Sequence, residues 1–192
     1  MLIIRTVNEL LLDEKGTALL AASAGSFISP NPDIQDFIQE KVVQATKLKT
    51  SVTHLIFQTD SGKLDFIGFF TLALKVIRIR NNCLSNSEKK AIRAFSYFDA
   101  ENDCFNCPAT LIAQFGRNYN ERSASITGEK LMNIAIKQVE KIQAIAGGKV
   151  VFLECEPIPK LIDFYQHQGF RLLDDSVLSR SDKELRQMYM IM

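Results

Sequence analysis

Histidine and paired cysteine are scarce in this chain. His54 and His167 are the only histidines, and among the four cysteines (Cys83, Cys104, Cys107 and Cys155) only Cys104 and Cys107 form a CxxC pair. A structural zinc site takes four ligands, usually two such pairs or one pair plus histidines at ligand spacing. No metal site is therefore expected, and the cysteines read as free thiols of a reducing compartment. An excess of charge of one sign is also lacking: 23 Lys and Arg against 22 Asp and Glu leave a net charge of +1. Bulk charge thus gives no argument for nucleic acid or a membrane surface. The most apolar run, Phe66 to Leu74, falls far short of the roughly 20 residues that span a bilayer. The first residues show no basic stretch followed by an apolar core, so no secretory signal is expected. The protein is expected to be cytoplasmic, without a membrane partner. Internal repeats and low-complexity tracts are missing too.

Three common catalytic signatures are absent. A P-loop needs Lys-Ser/Thr directly after its second glycine, whereas Gly128 is followed by Glu129-Lys130. The three-glycine spacing of a dinucleotide fingerprint does not occur, and no nucleophile-elbow motif supports a Ser-His-Asp arrangement.

What is present suits one α/β domain. The 192 residues, 46% of them hydrophobic, can bury a substantial core without staples. A first helix is expected within Asn8 to Ala24. A second is capped by Asn31, carries Pro32 at its first position, and repeats Ile34, Phe37, Ile38, Val42 and Ala45 at helical spacing. Val52–Gln58 and about Leu64–Arg80 read as a hairpin around Ser61-Gly62. Ser85 with Glu88 forms a capping box for a short helix reaching Phe95. Asp99–Pro108 reads as a loop and Thr110–Arg117 as a strand. The long helix at Gly128–Ala146 shows a stripe of Leu131, Ile134, Ala135, Ile142 and Ile145 and stops at Gly147-Gly148. Lys149–Glu154 is a continuous apolar strand expected to be buried on both faces. A short helix and two last strands, Phe170–Leu173 and Arg186–Met192, complete the order. Strand-helix-strand from Thr110 to Glu154 implies a parallel pair with a right-handed crossover, and the other pairs should be antiparallel. The result is a mixed central sheet flanked by helices.

Two stretches carry candidate chemistry. In "QFGRNYNERSASITGEKLMNIA", Gln114 to Ala135, a strand ends and a polar loop opens a long helix. A helix start exposes unpaired N–H groups and the positive end of its dipole, which suits phosphate or pyrophosphate. Gly128 allows close backbone approach, Ser123, Ser125 and Thr127 offer hydroxyls, and Arg122 and Lys130 add positive charge. Thr-Gly-Glu is equally a bare helix cap. In "ECEPIPKLIDFYQHQGFRLL", Glu154 to Leu173, Glu154 and Glu156 flank Cys155 at the carboxyl end of the buried strand, where open α/β sheets place ligands. Either glutamate can act as a proton acceptor, and either can be a solvated strand end. Cys155 reads as an inert buried thiol, since no nearby base is apparent. Lys75, Arg78 and Arg80 on the long strand, with Lys89, Lys90 and Arg93 on the next helix, form a basic group that suits RNA phosphates or is simply solvated.

Taken in order, these segments resemble the GNAT superfamily of acetyl-CoA-dependent N-acetyltransferases. The resemblance rests on "FYQHQGF", Phe164 to Phe170, on "IGFFTLAL", Ile67 to Leu74, and on the strand, loop, long helix, buried strand and short helix around them. It covers roughly Val52 to Leu173. The family's pyrophosphate loop follows the pattern Q/R-x-x-G-x-G/A. Aligned on Gly128, this puts Ser123 at the Q/R position and Ile126 where the first glycine stands, with Arg122 one residue off.

The resemblance implies a GNAT-like fold with splayed parallel strands, a helical acceptor-side region over residues 1–50, a cofactor-binding core over 52–173 and a C-terminal strand over 174–192. It implies acetyl-CoA as co-substrate and a primary amine as acceptor. The pantetheine arm would pair with Gln114, Phe115, Gly116, Arg117 and Asn118, and the pyrophosphate would sit on Arg122, Ser123, Ser125, Ile126, Thr127, Gly128, Glu129 and Lys130. Tyr165 would be the acid that protonates the departing thiolate, against a plain packing role for its ring, and Glu154 or Glu156 would take the amine proton. Some members with a similar hairpin strand are toxins that acetylate aminoacyl-tRNA, so tRNA is an alternative acceptor. A CoA- or partner-binding module without turnover is a third reading, and a homodimer is a further expectation to test.

Overall fold

The computed structural model describes residues 1–60, 63–120, 126–179 and 182–192, without the side chains of 60, 174 and 175. Its elements run β1 (Leu2–Thr6), α1 (Val7–Leu10), α2 (Glu14–Gly25), α3 (Pro32–Asp36), a π-turn (Phe37–Lys41), α4 (Val42–Lys47), β2 (Val52–Asp60) and β3 (Lys63–Arg80). A 3₁₀ turn (Asn81–Cys83) leads to α5 (Asn86–Arg93), β4 (Tyr97–Asp99) and β5 (Cys104–Arg117). The chain ends with α6 (Gly128–Ala146), β6 (Val150–Cys155), α7 (Pro159–His167), β7 (Arg171–Leu178) and β8 (Glu184–Ile191). Residues group into two compact units, 1–73 with 113–136 and 74–112 with 137–192. The strands β3 and β5 and the helix α6 each contribute to both.

In the first unit β1 pairs antiparallel with β2, and β2 with the first part of β3. The helices, with Phe27 of the segment after α2, bury Val7, Leu10, Leu20, Ile38 and Val42 against Leu55, Phe57, Phe66 and Phe69 of the strands. Phe27 meets Phe69 edge-on, with ring centroids 5.2 Å apart, one of the favoured aromatic geometries. Two glycines permit close packing at the end of β5. A Cβ on Gly68 would lie 2.6 Å from the Gly116 carbonyl, and one on Gly116 would lie 2.7 Å from Ile34 and 2.9 Å from Phe69.

In the second unit β5 and β6 run parallel from Ala109–Val150 to Ile112–Leu153, and β6–β8 and β8–β7 are antiparallel. The short β4 pairs with β5. A separate core joins Ile77, Ile79, Leu84, Ile92, Phe105, Phe152, Leu173 and Tyr189. Arg171 forms an ion pair with Glu88 and donates to the Cys83 carbonyl at 3.3 Å, tying β7 to the cap of α5.

The mixed sheet, the parallel β5–β6 pair with α6 as crossover, and the helix boundaries Gly128–Ala146 agree with expectation. So do both caps: the Asp33 N–H donates to the Asn31 side chain, and Ser85 and Glu88 close a capping box. Several expectations are corrected. The chain opens with a strand, Leu2–Thr6, and the first helical region is two helices split by Asp13, whose side chain accepts from the Gly16 N–H. The loop expected over Asp99–Pro108 shrinks to a turn at residues 100–103, since β5 begins at Cys104 and pairs with β4. The buried face of α6 is Leu131, Met132, Ala135 and Val139, and Ile145 is 89% exposed. The last turn simply projects past the part of the helix that is covered. The turn at Ser61-Gly62 lies outside the described residues.

Candidate functional site

The first unit holds the end of β5 and the start of α6. Gln114, Phe115, Gly116 and Arg117 are the last residues of β5, and Gln114 has a buried Oε1 with no hydrogen-bond partner among the described residues. Arg117 donates to the Ile126 carbonyl at 3.2 Å, and its guanidinium lies 4.2 Å from the centre of the Tyr119 ring. It therefore fixes the carbonyl two residues before the helix. Asn118 is 1% exposed, and its amide groups are engaged by the protein: the backbone N–H donates to Ile67 O and the side chain donates to Phe66 O, both at 2.9 Å. An arm pairing with this strand would have to use groups other than the Asn118 N–H.

Arg122, Ser123 and Ser125 lie outside the described residues. Ile126, at the position of the family's first glycine, is buried and anchors the chain just before the helix. Thr127 caps α6, its hydroxyl accepting the Lys130 N–H at 3.3 Å. The bare-cap reading of Thr-Gly-Glu thus has its hydrogen bond. A side-chain cap satisfies only one of the orphan donors at a helix start. Gly128 is half-buried, and Glu129 and Lys130 are exposed. Lys130 and Ile126 also line a pocket of about 350 Å³ with Met1, Leu2 and Gln58.

The second unit holds the end of β6 and the helix α7. Glu154 is exposed and accepts from the Gln187 side chain at 2.9 Å across the β6–β8 pair. Glu156 is half-buried in the bend before α7. Between them Cys155 is 5% exposed with its sulfur 3.9 Å from that of Met188, and burial pushes its thiol up to about 11. A thiol held protonated is no nucleophile at neutral pH, as expected for an inert buried cysteine.

Tyr165, in the last turn of α7, is 7% exposed. Its ring packs edge-on against Phe164 (5.1 Å between centroids) and Phe170 (6.2 Å). Burial, with the neighbouring Cys155 adding, holds its hydroxyl well above the ordinary tyrosine range. Among the described residues no protein group hydrogen-bonds that hydroxyl. Buried tyrosines usually pair this group. Packing holds the ring, and the oxygen has no protein partner among the described residues without being fully enclosed.

The CxxC pair lies within β5. Residues i and i+3 of a strand sit about 10 Å apart, too far for a disulfide, and Cys104 and Cys107 are both buried free thiols. Among the described residues no group of three or more His, Cys, Asp or Glu side chains gathers to hold a metal ion. Arg78 and Arg80 line a pocket of about 360 Å³ with Asn82, Asn102, Asp103 and Cys104. The nearby Asp99 carboxyl is held below its usual range first by the Asn102 side chain, with the charge of Arg78 adding. The basic group is therefore partly matched by acids.

No protein-family model and no curated protein matches this sequence. Solved structures do match. A tyrosine-to-phenylalanine mutant of the AtaT toxin, bound to acetyl-CoA and the C-terminus of the antitoxin AtaR, is 13% identical over 99% of this chain and 92% of its own, with a TM-score of 0.62. A tyrosine-to-phenylalanine mutant of KacT is 17% identical over 97% of this chain and 93% of its own, also at 0.62. AtaT complexed with acetyl-methionyl-tRNAfMet is 15% identical over 97% of this chain and 94% of its own, at 0.63. The chain has the fold of AtaT and KacT. The GNAT-like arrangement expected from Ile67–Leu74 and Phe164–Phe170 is thus the arrangement found. At such identity what AtaT, KacT and this chain share is the order and pairing of elements, held by apolar pattern.

Two features were not legible in the sequence. The linking role of Asn118 depends on carbonyls of residues 66 and 67, far away in the chain. Arg117 closing on Ile126 is a nine-residue span with no motif of its own.

Proposed function

We propose that this protein is an N-acetyltransferase that moves the acetyl group of acetyl-CoA to a primary amine, with Tyr165 donating to the departing thiolate. The observation that carries the proposal is the Tyr165 hydroxyl, which is carried by a buried residue at the end of α7 and makes no hydrogen bond among the described residues. A site that keeps such a donor unpaired is prepared for an acceptor that arrives with the ligand. The AtaT and KacT fold, found with acetyl-CoA in AtaT, supports the choice of co-substrate.

The chemistry follows from the groups present. A neutral amine attacks the thioester carbonyl, an N–C bond forms, and the C–S bond breaks with its electron pair left on sulfur. Glu154 or Glu156 takes the surplus proton from nitrogen, directly or through water. Burial keeps the proton on Tyr165 at any working pH, and the same shift opposes its complete loss. The hydroxyl therefore acts mainly by a hydrogen bond to the charge growing on sulfur, and CoA leaves as the thiol once the proton taken from nitrogen by the glutamate passes to the sulfur through water. The pyrophosphate is assigned to the start of α6, where Gly128 and Glu129 follow the Thr127 cap and Lys130 adds charge.

Acetyl-CoA should raise the melting temperature, since a ligand bound only by the folded state adds about 2.7 kcal/mol at a hundred times its Kd. A calorimetric titration with no heat and no thermal shift at millimolar acetyl-CoA removes the proposal.

Aminoacyl-tRNA is the second reading of the acceptor. It is supported by the pocket of Arg78, Arg80, Asn82 and Asn102 and by the acetyl-methionyl-tRNAfMet bound to AtaT. Release of CoA with charged tRNA, and none with free amino acids, polyamines or peptides, would select it.

A further inference from the structure

The β2–β3 ladder contains a bulge. Ile56 pairs with Gly68 and Phe57 with Phe66, so Ile67 has no partner opposite it in β2. Backbone groups at a bulge need donors or acceptors from elsewhere. Asn118 supplies both donors here, its backbone N–H to Ile67 O and its side-chain NH₂ to Phe66 O, each at 2.9 Å. The oxygen of the same side chain accepts the Ile28 N–H at 3.0 Å and the Asn120 N–H at 3.3 Å. The next residue returns the contact, with the Tyr119 N–H donating to Ile28 O at 2.9 Å.

Ile28 is the third residue past the end of α2, and its own side chain is 53% exposed. Core packing of that side chain does not hold it. Its N–H and its C=O are both bonded to residues 118 and 119. Three neighbours in sequence thus act at one place: Asn118 and Tyr119 hold Ile28, and Arg117 holds the Ile126 carbonyl. Ile126 leads through Thr127 into α6, where the proposed pyrophosphate site begins.

We propose that Asn118 is a positioning residue that couples the segment at Ile28, by way of its neighbour Arg117 and the Ile126 carbonyl, to the start of α6, so that acetyl-CoA bound there also holds Ile28 in place. The proposal rests on the acetyl-CoA reading above. Releasing Ile28 leaves a buried amide oxygen without one of its donors, which is unfavourable. A ligand that binds only when the Arg117–Ile126 bond and the start of α6 are in place makes such openings rarer. Since residues 1–50 are the expected acceptor side, acetyl-CoA would then arrange that side before the acceptor arrives. Asn118 itself touches no reacting atom.

The test is amide hydrogen exchange on the full chain with and without acetyl-CoA, beside calorimetric titration. In the wild type, acetyl-CoA should slow exchange at the first turn of α6 and, by about 10-fold, at Ile28. Asn118→Ala should abolish the response at Ile28, keep that at α6, and weaken acetyl-CoA binding about 10-fold. Asn118→Asp retains a side-chain oxygen for Ile28, so it should keep the Ile28 response even if Asn118→Ala does not fold. Val42→Ala, a cavity in the same unit's core, should lower the melting temperature and leave the Ile28 response intact. Protection at α6 with none at Ile28 in the wild type overturns the coupling. So does an Ile28 response that survives Asn118→Ala. Absence of any acetyl-CoA binding overturns the acetyl-CoA reading, and the coupling falls with it.

Discussion

Replacing Tyr165 by phenylalanine separates the two roles of this residue. The ring keeps its contacts with Phe164 and Phe170, at 5.1 and 6.2 Å between centroids, so no cavity opens. The hydroxyl makes no hydrogen bond among the described residues, so its removal strands no protein partner. The stability change should lie within about 0.5 kcal/mol of zero. A tyrosine hydrogen-bonded to the protein would instead lose about 1 kcal/mol, or roughly 2–4 °C in a chain of this size. Turnover should fall about 10²-fold or more, the usual effect of losing a positioned acid, which is about 2.7 kcal/mol of barrier. Acetyl-CoA affinity should stay within about twofold, since the oxygen acts late in the reaction. The assay is CoA release measured with a thiol reagent, against charged tRNA and a panel of amines, beside calorimetry and thermal melts. Burial raises the tyrosine pKa, so the protonated form is present throughout the range below pH ~10. A loss of rate on the alkaline side below that point must come from another group. Unchanged turnover with a lowered melting temperature would refute the reasoning and return Tyr165 to the core.

Gly128→Asp should weaken acetyl-CoA binding about 10-fold or more in calorimetry, because it adds bulk and negative charge at the start of α6, where the dipole favours an anion. If charged tRNA is the acceptor, wild-type binding should weaken steeply with salt, and Lys75→Glu with Arg78→Glu should abolish it; a small amine acceptor would show neither effect in a filter-binding or turnover assay. Burial raises the Cys155 thiol from 9.0 to about 11. The folded pKa is the higher one, so the associated stability is complete below pH ~9 and is lost as pH rises toward ~11. Melting curves of Cys155→Ala across that window should fall less steeply than the wild type. Cys107, raised to about 11 as well, keeps part of the slope.

How far the fold is legible in the sequence depends on how local its signals are. The caps at Asn31 and Ser85 and the stop at Gly147-Gly148 are set by residues a few positions apart, and each appears where the spacing places it. Segments whose structure depends on distant partners were misread. Leu2–Thr6 is short and becomes a strand by pairing with His54–Gln58. Cys104–Pro108 contains a proline and an asparagine, which argue for a loop. It is extended because β4 pairs with Cys104–Asn106 on one side. The apolar stripe of α6 runs further toward its C-terminus than its buried face does, because periodicity shows which residues share a face and gives no information on how much of that face is covered.

The same division runs through the candidate site. Tyr165 and Gly169–Phe170 were legible because a helix end, a positive-φ glycine and a following strand form one compact local pattern; Gly169 has a φ of +93°. The burial of the tyrosine ring also follows from its spacing on α7. The unpaired state of its hydroxyl does not, because that depends on the absence of any acceptor nearby. Asn118 shows the opposite case. In the sequence it closes a strand and looks available to a ligand, whereas its amide groups serve Phe66, Ile67 and Ile28. A polar residue at a strand end is therefore ambiguous until its hydrogen bonds are known. Here those bonds separate a tyrosine whose polar group is left over from an asparagine whose polar groups are taken, and only the first has a donor to offer a ligand.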